Sequence, residues 1–129
     1  MGVRRYQELI AWQMADAFKR EVFRLVLESK SASRDLRYRD QLFGAAQSVT
    51  ANIAEGFLRH SPADFRRFLN IGLGSLGEAE NRLQDGVSLH YFTDADCADA
   101  FRFARRAATA CVRLRDSQLP FLKPTRSRT

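Results

Sequence analysis

Residues 48–69 read SVTANIAEGFLRHSPADFRRFL, and they decide the fold because they join two long helical patterns across one strong boundary. The boundary is Ser61-Pro62-Ala63-Asp64. Serine is a favoured N-cap, proline suits the first turn of a helix, and an acid three residues after the serine resembles a capping box. The sequence therefore predicts that one helix ends at about residue 58 and that the next begins at about residue 62.

Apolar residues on both sides of this boundary recur at the i, i+3, i+4 spacing of amphipathic helices, and strand-like alternation is rare. The segment SKSASRD is polar and is predicted to break the first helical pattern, while Thr93 with Asp96 repeats the capping signal before the last one. The sequence therefore predicts four helices, at about residues 7–28, 36–58, 62–91 and 94–118.

Four helices of this length with short connections favour an all-α fold, an antiparallel up-down four-helix bundle. No internal repeat or second domain is visible, so residues 1–119 are predicted to form a single domain. The prolines and charges of LPFLKPTRSRT predict an extended or flexible basic tail over residues 120–129.

Composition excludes some classes of protein. The chain has 129 residues, of which 45% are hydrophobic, and no apolar run approaches the roughly 18 residues of a membrane span. The N-terminal residues lack the long apolar core of a secretory signal. Cys97 and Cys111 lie in one predicted helix about 21 Å apart, too far for a disulfide. We therefore expect reduced thiols and a cytoplasmic protein.

Signals of catalysis are weak. The chain has two histidines, and it has no Glu-x-x-His pair, no CxxC or HExxH motif, and no phosphate-binding glycine loop after a strand. We therefore expect no enzymatic activity, no cofactor and no metal. A carboxylate cluster that binds a metal is the alternative, and its candidate ligands would be Glu55, Glu78, Glu80 and Asp85.

Positive charge is concentrated near the C-terminus. Residues 1–40 have a net charge of +3, residues 41–96 of −3 and residues 97–129 of +6, which together give the +6 of the chain. Arg102, Arg106 and Arg113 follow helical spacing and share one face of the last helix. Such a face can neutralise phosphates without reading bases, although a solvated outer face has the same pattern. The candidate nucleic-acid-binding residues are Arg102, Arg105, Arg106, Arg113, Lys123, Arg126 and Arg128.

A stripe of small and polar residues runs along the second predicted helix. Gly44, Ser48, Asn52 and Glu55 are spaced four, four and three residues apart, and the third helix offers a matching stripe that includes Ser75. Small residues let helices approach closely, and buried polar groups then need hydrogen-bond partners. We predict that Ser48, Asn52, Glu55 and Ser75 form a polar seam in a helix–helix or subunit contact, and a ligand site is the alternative.

The first helix has a second apolar stripe. Trp12, Phe23 and Leu27 lie off its main buried face, and Trp12 and Phe23 are separated by close to a whole number of turns. Such a stripe is either a wide core face or a contact beyond the bundle. We take Trp12, Phe23 and Leu27 as the candidate oligomer interface.

Three runs, WQMADAF, QLFGAAQSVTANIAEGF and FRRFLNIGLGSLGEAE, resemble a four-helix-bundle family encoded in intervening sequences of bacterial 23S rRNA genes. The resemblance covers about residues 6–119. It implies a left-handed bundle that assembles as a homopentameric ring and has no established enzymatic activity. It also implies kinship with the accessory variability proteins of diversity-generating retroelements, which bind nucleic acid and partner a reverse transcriptase.

The resemblance has departures. The family usually has an arginine pair where this chain has Phe43-Gly44, and often a proline where Thr50 stands. A nucleic-acid surface on the second helix would lack those two charges. The expected function is therefore non-enzymatic binding of RNA or DNA backbones through the last helix of a homo-oligomer. The alternative is a protein-interaction scaffold, such as an accessory subunit of a reverse transcriptase.

Overall fold

A computed structural model describes residues 2–124, and this part of the chain is helical without any β-strand. It has five α-helices and two short 3₁₀ turns, the turns at Tyr6–Glu8 and Leu119–Phe121. The α-helices are α1 (Ile10–Glu28), α2 (Lys30–Arg34), α3 (Leu36–Leu58), α4 (Pro62–Ser88) and α5 (Asp94–Ser117).

The boundary between α3 and α4 forms as its capping residues predict. The backbone N–H of Asp64 donates to Ser61 Oγ at 3.3 Å, and Pro62 occupies the first turn. The Asp64 carboxylate lies 3.5 Å from Arg67 instead of completing the capping box. The complete box is at α5, where Thr93 and Asp96 each accept the other's backbone N–H at 3.0 Å.

Three helix limits differ from the prediction. The first α-helix begins at Ile10, because Tyr6–Glu8 is a 3₁₀ turn and Leu9 is extended. The polar segment predicted as a break contains α2, which Ser29 caps by accepting the N–H of Ala32 at 3.2 Å. The helix α4 ends at Ser88, before His90, whose φ of 62° is left-handed and does not continue a helix.

The core lies between the four long helices. The helix α1 packs on α3 and α5, and α4 packs on the same two helices. The faces predicted to be apolar supply the largest fully buried side chains, which include Phe18, Leu42, Ile53, Leu69, Leu76 and Leu83. Cys97 and Cys111 are free, buried thiols, and burial raises the pKa of each to about 11. A raised pKa keeps both in the unreactive protonated form.

The predicted tail begins in the 3₁₀ turn Leu119–Phe121. Arg126 and Arg128 lie outside the described residues. No helix of residues 2–124 is both long and apolar enough to cross a membrane.

Candidate binding surface

The basic face predicted on the last helix lies on the surface of α5, but its arginines differ in what they contact. Arg102 lies 3.2 Å from Asp99 and its guanidinium lies over the ring of Phe103, 5.4 Å from the centroid. Arg115 lies 3.2 Å from Asp116 and donates to Asn70 at 3.1 Å. The positive charge at these two positions is therefore partly neutralised within the chain.

Arg105, Arg106 and Arg113 are exposed and lie between Arg102 and Arg115 along α5. Among residues 2–124, no carboxylate lies within ion-pair distance of any of the three guanidinium groups. Glu80 of α4 interacts electrostatically with Arg105. Burial raises the pKa of Glu80, and the charge of Arg105 opposes that rise. The three arginines therefore form the uncompensated part of the predicted surface.

These arginines border a groove between α5 and the start of α1, and we call it the arginine-rimmed groove. Its volume is about 680 Å³. Leu9, Ile10 and Met14 form part of an aliphatic floor. The complete lining is Val3, Glu8, Leu9, Ile10, Ala11, Met14, Arg105, Arg106, Thr109, Ala110, Arg113 and Leu114. The groove thus combines an apolar base with a rim on which three arginines outnumber one carboxylate, that of Glu8.

The N-terminal segment extends this positive surface, which sequence reasoning did not foresee. Glu8 Oε2 accepts the backbone N–H of Arg4 at 3.0 Å and that of Arg5 at 3.4 Å. Arg4 and Arg5 are exposed and follow Val3, which lines the groove. About a hundred residues separate these arginines from those of α5, so no local sequence pattern connects them.

Further arginines lie where α3 turns into α4. The guanidinium groups of Arg59 and Arg67 lie over the ring of Phe68, 5.3 and 4.7 Å from its centroid. Arg66 Nη1 donates to the backbone carbonyl of Arg115 at 2.7 Å, which joins the start of α4 to the end of α5. We call the α3–α4 turn, the N-terminal segment and the C-terminal half of α5 the basic end. Lys123 is exposed and follows the last turn of α5.

The predicted polar seam forms in part between α3 and α4. Ser48 Oγ and Ser75 Oγ are hydrogen-bonded at 2.8 Å, and Asn52 Nδ2 donates to Ser48 Oγ at 3.0 Å and to the Ser48 carbonyl at 2.8 Å. Glu55 does not join these residues. It is exposed, and its carboxylate lies 2.9 Å from Arg59 one turn away. Glu55 therefore takes no part in the contact between α3 and α4, and its place in a subunit contact stays a prediction.

Two glycines explain how closely the α3–α4 pair packs. A Cβ at Gly72 would lie 3.6 Å from the carbonyl oxygen of Val49, which is ordinary contact. A Cβ at Gly56 would lie 2.8 Å from the Cβ of Phe68, so this position requires glycine. Gly44, the first residue of the predicted stripe, has no atom near the position of its missing side chain. The seam therefore begins at Ser48.

The second apolar stripe of α1 is partly covered by the chain itself. Trp12 packs on Tyr6, with ring centroids 5.6 Å apart, and Phe23 packs on Phe43 at 4.8 Å. Leu27 is 69% exposed. An interface between subunits on this stripe stays a prediction, and Leu27 is the member of the stripe with most surface left to bury.

The carboxylates considered as metal ligands lie apart. Within residues 2–124, His, Cys, Asp and Glu side chains form no group of three or more with metal-binding geometry. Glu55 pairs with Arg59 and Glu78 with Arg82, each one helical turn away. The buried thiols are protonated at neutral pH because their pKa values are raised. The described residues therefore present neither a cluster of metal ligands nor a thiol that is ionised at neutral pH.

Comparison with known proteins gives one relationship. A sequence profile described as 23S rRNA-intervening sequence protein matches residues 7–110. The match contains the whole of α1, α3 and α4, and it ends within α5, before Arg113. No curated protein matches the chain at a significant level.

Proposed function

This chain belongs to the 23S rRNA-intervening sequence protein family, and on that premise we propose that it is a non-enzymatic protein that binds the phosphate backbone of RNA or DNA. One observation carries the proposal. Arg105, Arg106 and Arg113 are exposed and have no carboxylate partner among residues 2–124. Uncompensated guanidinium groups attract phosphates and release their counterions on binding.

The distribution of charge supports backbone binding over base recognition. The basic end adds Arg4 and Arg5 to the arginines of α5, so positive charge comes from segments far apart in sequence. The sequence contains no recognised base-reading motif. The bound nucleic acid would be held by its phosphates, and binding would be sensitive to salt and weakly specific for sequence.

Filter binding of a structured RNA tests the proposal, at salt concentrations from about 50 to about 200 mM. Substitution of Arg105, Arg106 and Arg113 by glutamine should weaken binding and lower the slope of log affinity against log salt by about two to three. The matched control replaces Lys30, Arg34 and Arg37, which are exposed and lie on α2 and at the start of α3. Failure of the unmodified protein to bind at low salt would exclude the function.

The assembly belongs to the same proposal. We propose that the helices form an antiparallel up-down four-helix bundle and that five copies form a ring. The pairing of α1 and of α4 with both α3 and α5 supports the bundle, and the exposed Leu27 supports a contact between copies. Light scattering should give about 74 kDa, five times the 14.7 kDa of the chain. A mass of one chain would exclude the ring.

A second candidate function follows from the aliphatic floor of the arginine-rimmed groove, because phosphates alone do not require it. We propose as the alternative a protein-interaction scaffold in the cytoplasm, such as an accessory subunit of a reverse transcriptase in a diversity-generating retroelement. A neighbouring reverse transcriptase gene with a repeated template region favours this role. A position of the gene inside a 23S rRNA gene, without such a neighbour, argues against it.

The non-enzymatic part of the proposal has a separate test. Elemental analysis of the purified protein should find no metal in stoichiometric amount, because the described carboxylates lie apart or pair with arginines. A metal that remains bound after dialysis at one per chain would contradict this part and would reopen the carboxylate alternative.

A further inference from the structure

The floor of the arginine-rimmed groove presents aliphatic surface to solvent. Ile10 is 65% exposed at the first position of α1, and Leu9, Met14 and Leu114 continue the same surface inward. None of the described residues that line the groove is aromatic. Contiguous exposed apolar surface of this kind marks a place where another molecule packs.

The rim of the groove specifies the charge of that molecule. Arg106 and Arg113 stand seven residues apart on α5, which corresponds to about 10.5 Å or two helical turns. Both are exposed, and neither has an ion-pair partner among residues 2–124. A molecule that matches the rim therefore presents negative charges with a similar spacing beside an apolar face.

Three kinds of occupant have this combination of charge and apolar surface. A single nucleic-acid strand carries the charge, but its bases prefer aromatic side chains for stacking, and the lining has none. A small amphiphilic anion prefers an enclosed pocket, whereas Ile10 and the rim arginines are open to solvent. An amphipathic helix needs only a groove with aliphatic contacts and complementary charges at its edges.

We propose that the arginine-rimmed groove is the docking site for an acidic amphipathic helix of a partner protein. Aliphatic side chains at i, i+3 or i+4, and i+7 of that helix pack on Ile10, Met14 and Leu114. Carboxylates that flank this stripe two turns apart pair with Arg106 and Arg113. This docking site goes beyond nucleic-acid binding and does not rest on it, since the floor takes no part in holding phosphates.

Fluorescence anisotropy with a synthetic peptide tests the proposal on the full chain. The probe is a fluorescein-labelled peptide of leucine, glutamate and alanine, about four to five helical turns long, with its leucines at helical spacing. The control peptide has the same composition in scrambled order. We expect the patterned peptide to bind at least tenfold more tightly. Equal binding of the two peptides would overturn the proposal, because charge alone would then explain the affinity.

Two pairs of matched variants separate the floor from the rim. Ile10 and Leu36 are the first residues of α1 and α3 and are exposed to a similar extent, 65% and 58%. Ile10→Ser should weaken binding of the patterned peptide about tenfold, because the peptide buries the exposed part of the isoleucine, and Leu36→Ser should not. Arg106→Gln should weaken it about fivefold at low salt, and Arg34→Gln should not. Equal effects within either pair would contradict the docking site.

A single-stranded oligonucleotide distinguishes this proposal from nucleic-acid binding. Ile10→Ser should leave oligonucleotide binding unchanged while it weakens peptide binding. An equal loss for both ligands would identify the floor as nucleic-acid surface and would overturn the docking proposal. Absence of any RNA or oligonucleotide binding by the unmodified protein would remove the proposed function and leave the docking site standing.

Discussion

The two ends of the molecule differ in the polar contacts that their side chains make. At the tyrosine end, which we define by Ser29, Asp35, Tyr38 and Tyr91, side chains bond to distant parts of the chain. Tyr91 Oη donates to Asp35 Oδ2 at 2.6 Å, Ser29 Oγ donates to the Tyr91 carbonyl at 3.0 Å, and Tyr38 Oη donates to the Arg82 carbonyl at 2.7 Å. Each bond joins segments that are remote in sequence, so these bonds stabilise the packing at this end of the molecule.

The basic end also has long-range bonds, from Arg66 to the Arg115 carbonyl and from Arg115 to Asn70, but three arginines of α5 lack a carboxylate partner among residues 2–124. Arg105, Arg106 and Arg113 face solvent, and the repulsion between them stabilises nothing in the folded chain. Charged groups that fold stability does not require are candidates for contacts with other molecules. We therefore expect substitutions at the tyrosine end to change stability more than substitutions at the basic end, to which our proposals assign binding.

The largest effect on the free energy of unfolding is expected at Gly86, which lies next to Tyr38 of the tyrosine end. An added Cβ there would overlap the Tyr38 hydroxyl and would lie 2.6 Å from the ring of Phe92. Gly86→Ala should lower the free energy of unfolding by about 2 kcal/mol, because an overpacked core shifts its neighbours. Urea denaturation measures this change.

Gly77 on the same helix is the matched control. Nothing lies near the position of its missing side chain, so Gly77→Ala should stabilise α4 by about 0.5–1 kcal/mol through helix propensity. The two alanine substitutions should therefore shift the urea midpoint in opposite directions. Shifts of the same sign would show that the close contact around Gly86 does not constrain the fold.

A smaller effect is expected at Ser48, between the two ends. Its hydroxyl bonds to Ser75 at 2.8 Å and accepts from Asn52 at 3.0 Å. Ser48→Ala should lower the free energy of unfolding by about 1 kcal/mol, because both partners lose a half-buried hydrogen bond. Ser88→Ala, at an exposed position of α4, is the control. If both variants unfold at the same urea concentration, the seam adds no stability.

The bond between Tyr91 and Asp35 predicts a dependence on pH. This hydrogen bond, followed by the one from the Tyr38 N–H, lowers the pKa of Asp35 below its usual 3.8. A carboxyl group whose pKa is lower in the folded state than in the unfolded state stabilises the fold at pH values above its unfolded-state pKa. This stabilisation is lost as the pH falls through the folded-state pKa. The unmodified protein should therefore lose stability below about pH 4.

Tyr91→Phe removes the larger of the two causes, so its melting temperature should fall less steeply over the same acid range. Tyr6→Phe is the control, since Tyr6 packs its ring on Trp12 and its hydroxyl has no bond among the described residues. Thermal melts between about pH 3 and pH 6 by circular dichroism compare the three proteins. If the melting temperatures of all three proteins depend on pH in the same way, the Tyr91 hydroxyl does not lower the pKa of Asp35.

Local signals in the sequence predicted where the helices begin. They did not predict contacts between residues that are far apart in the sequence. Ser61 and Thr93 mark helix starts through bonds to residues three positions away, so their roles were readable. The Tyr91–Asp35 bond spans 56 residues, and no local pattern connects its partners. Glu55 was assigned to the seam by spacing, but Arg59, one turn away, is its partner.

The same holds for the candidate surface, where features set by local spacing were predicted and features set by long-range contacts were not. The arginines of α5 were predicted because helical spacing places them on one face, whereas the partners of Arg102 and Arg115 depend on side-chain geometry. The groove floor was missed because it combines Leu9 and Ile10 with α5, across most of the length of the chain. Arg126 and Arg128 were predicted to extend the surface and lie outside the described residues.

The smallest effect on stability is expected at the basic end, and this prediction sharpens the comparison most. Arg106 is exposed and has no ion-pair partner among residues 2–124, so Arg106→Gln should change the free energy of unfolding by less than about 0.5 kcal/mol. Relief of repulsion from Arg102, four residues earlier on α5, favours a slight gain in stability over a loss. Urea denaturation at low and high salt measures it, and salt should reduce any gain because it screens the same repulsion. A loss of unfolding free energy close to that of Ser48→Ala would mean that Arg106 stabilises the fold. The distinction between an end that stabilises the fold and an end available for binding would then be wrong.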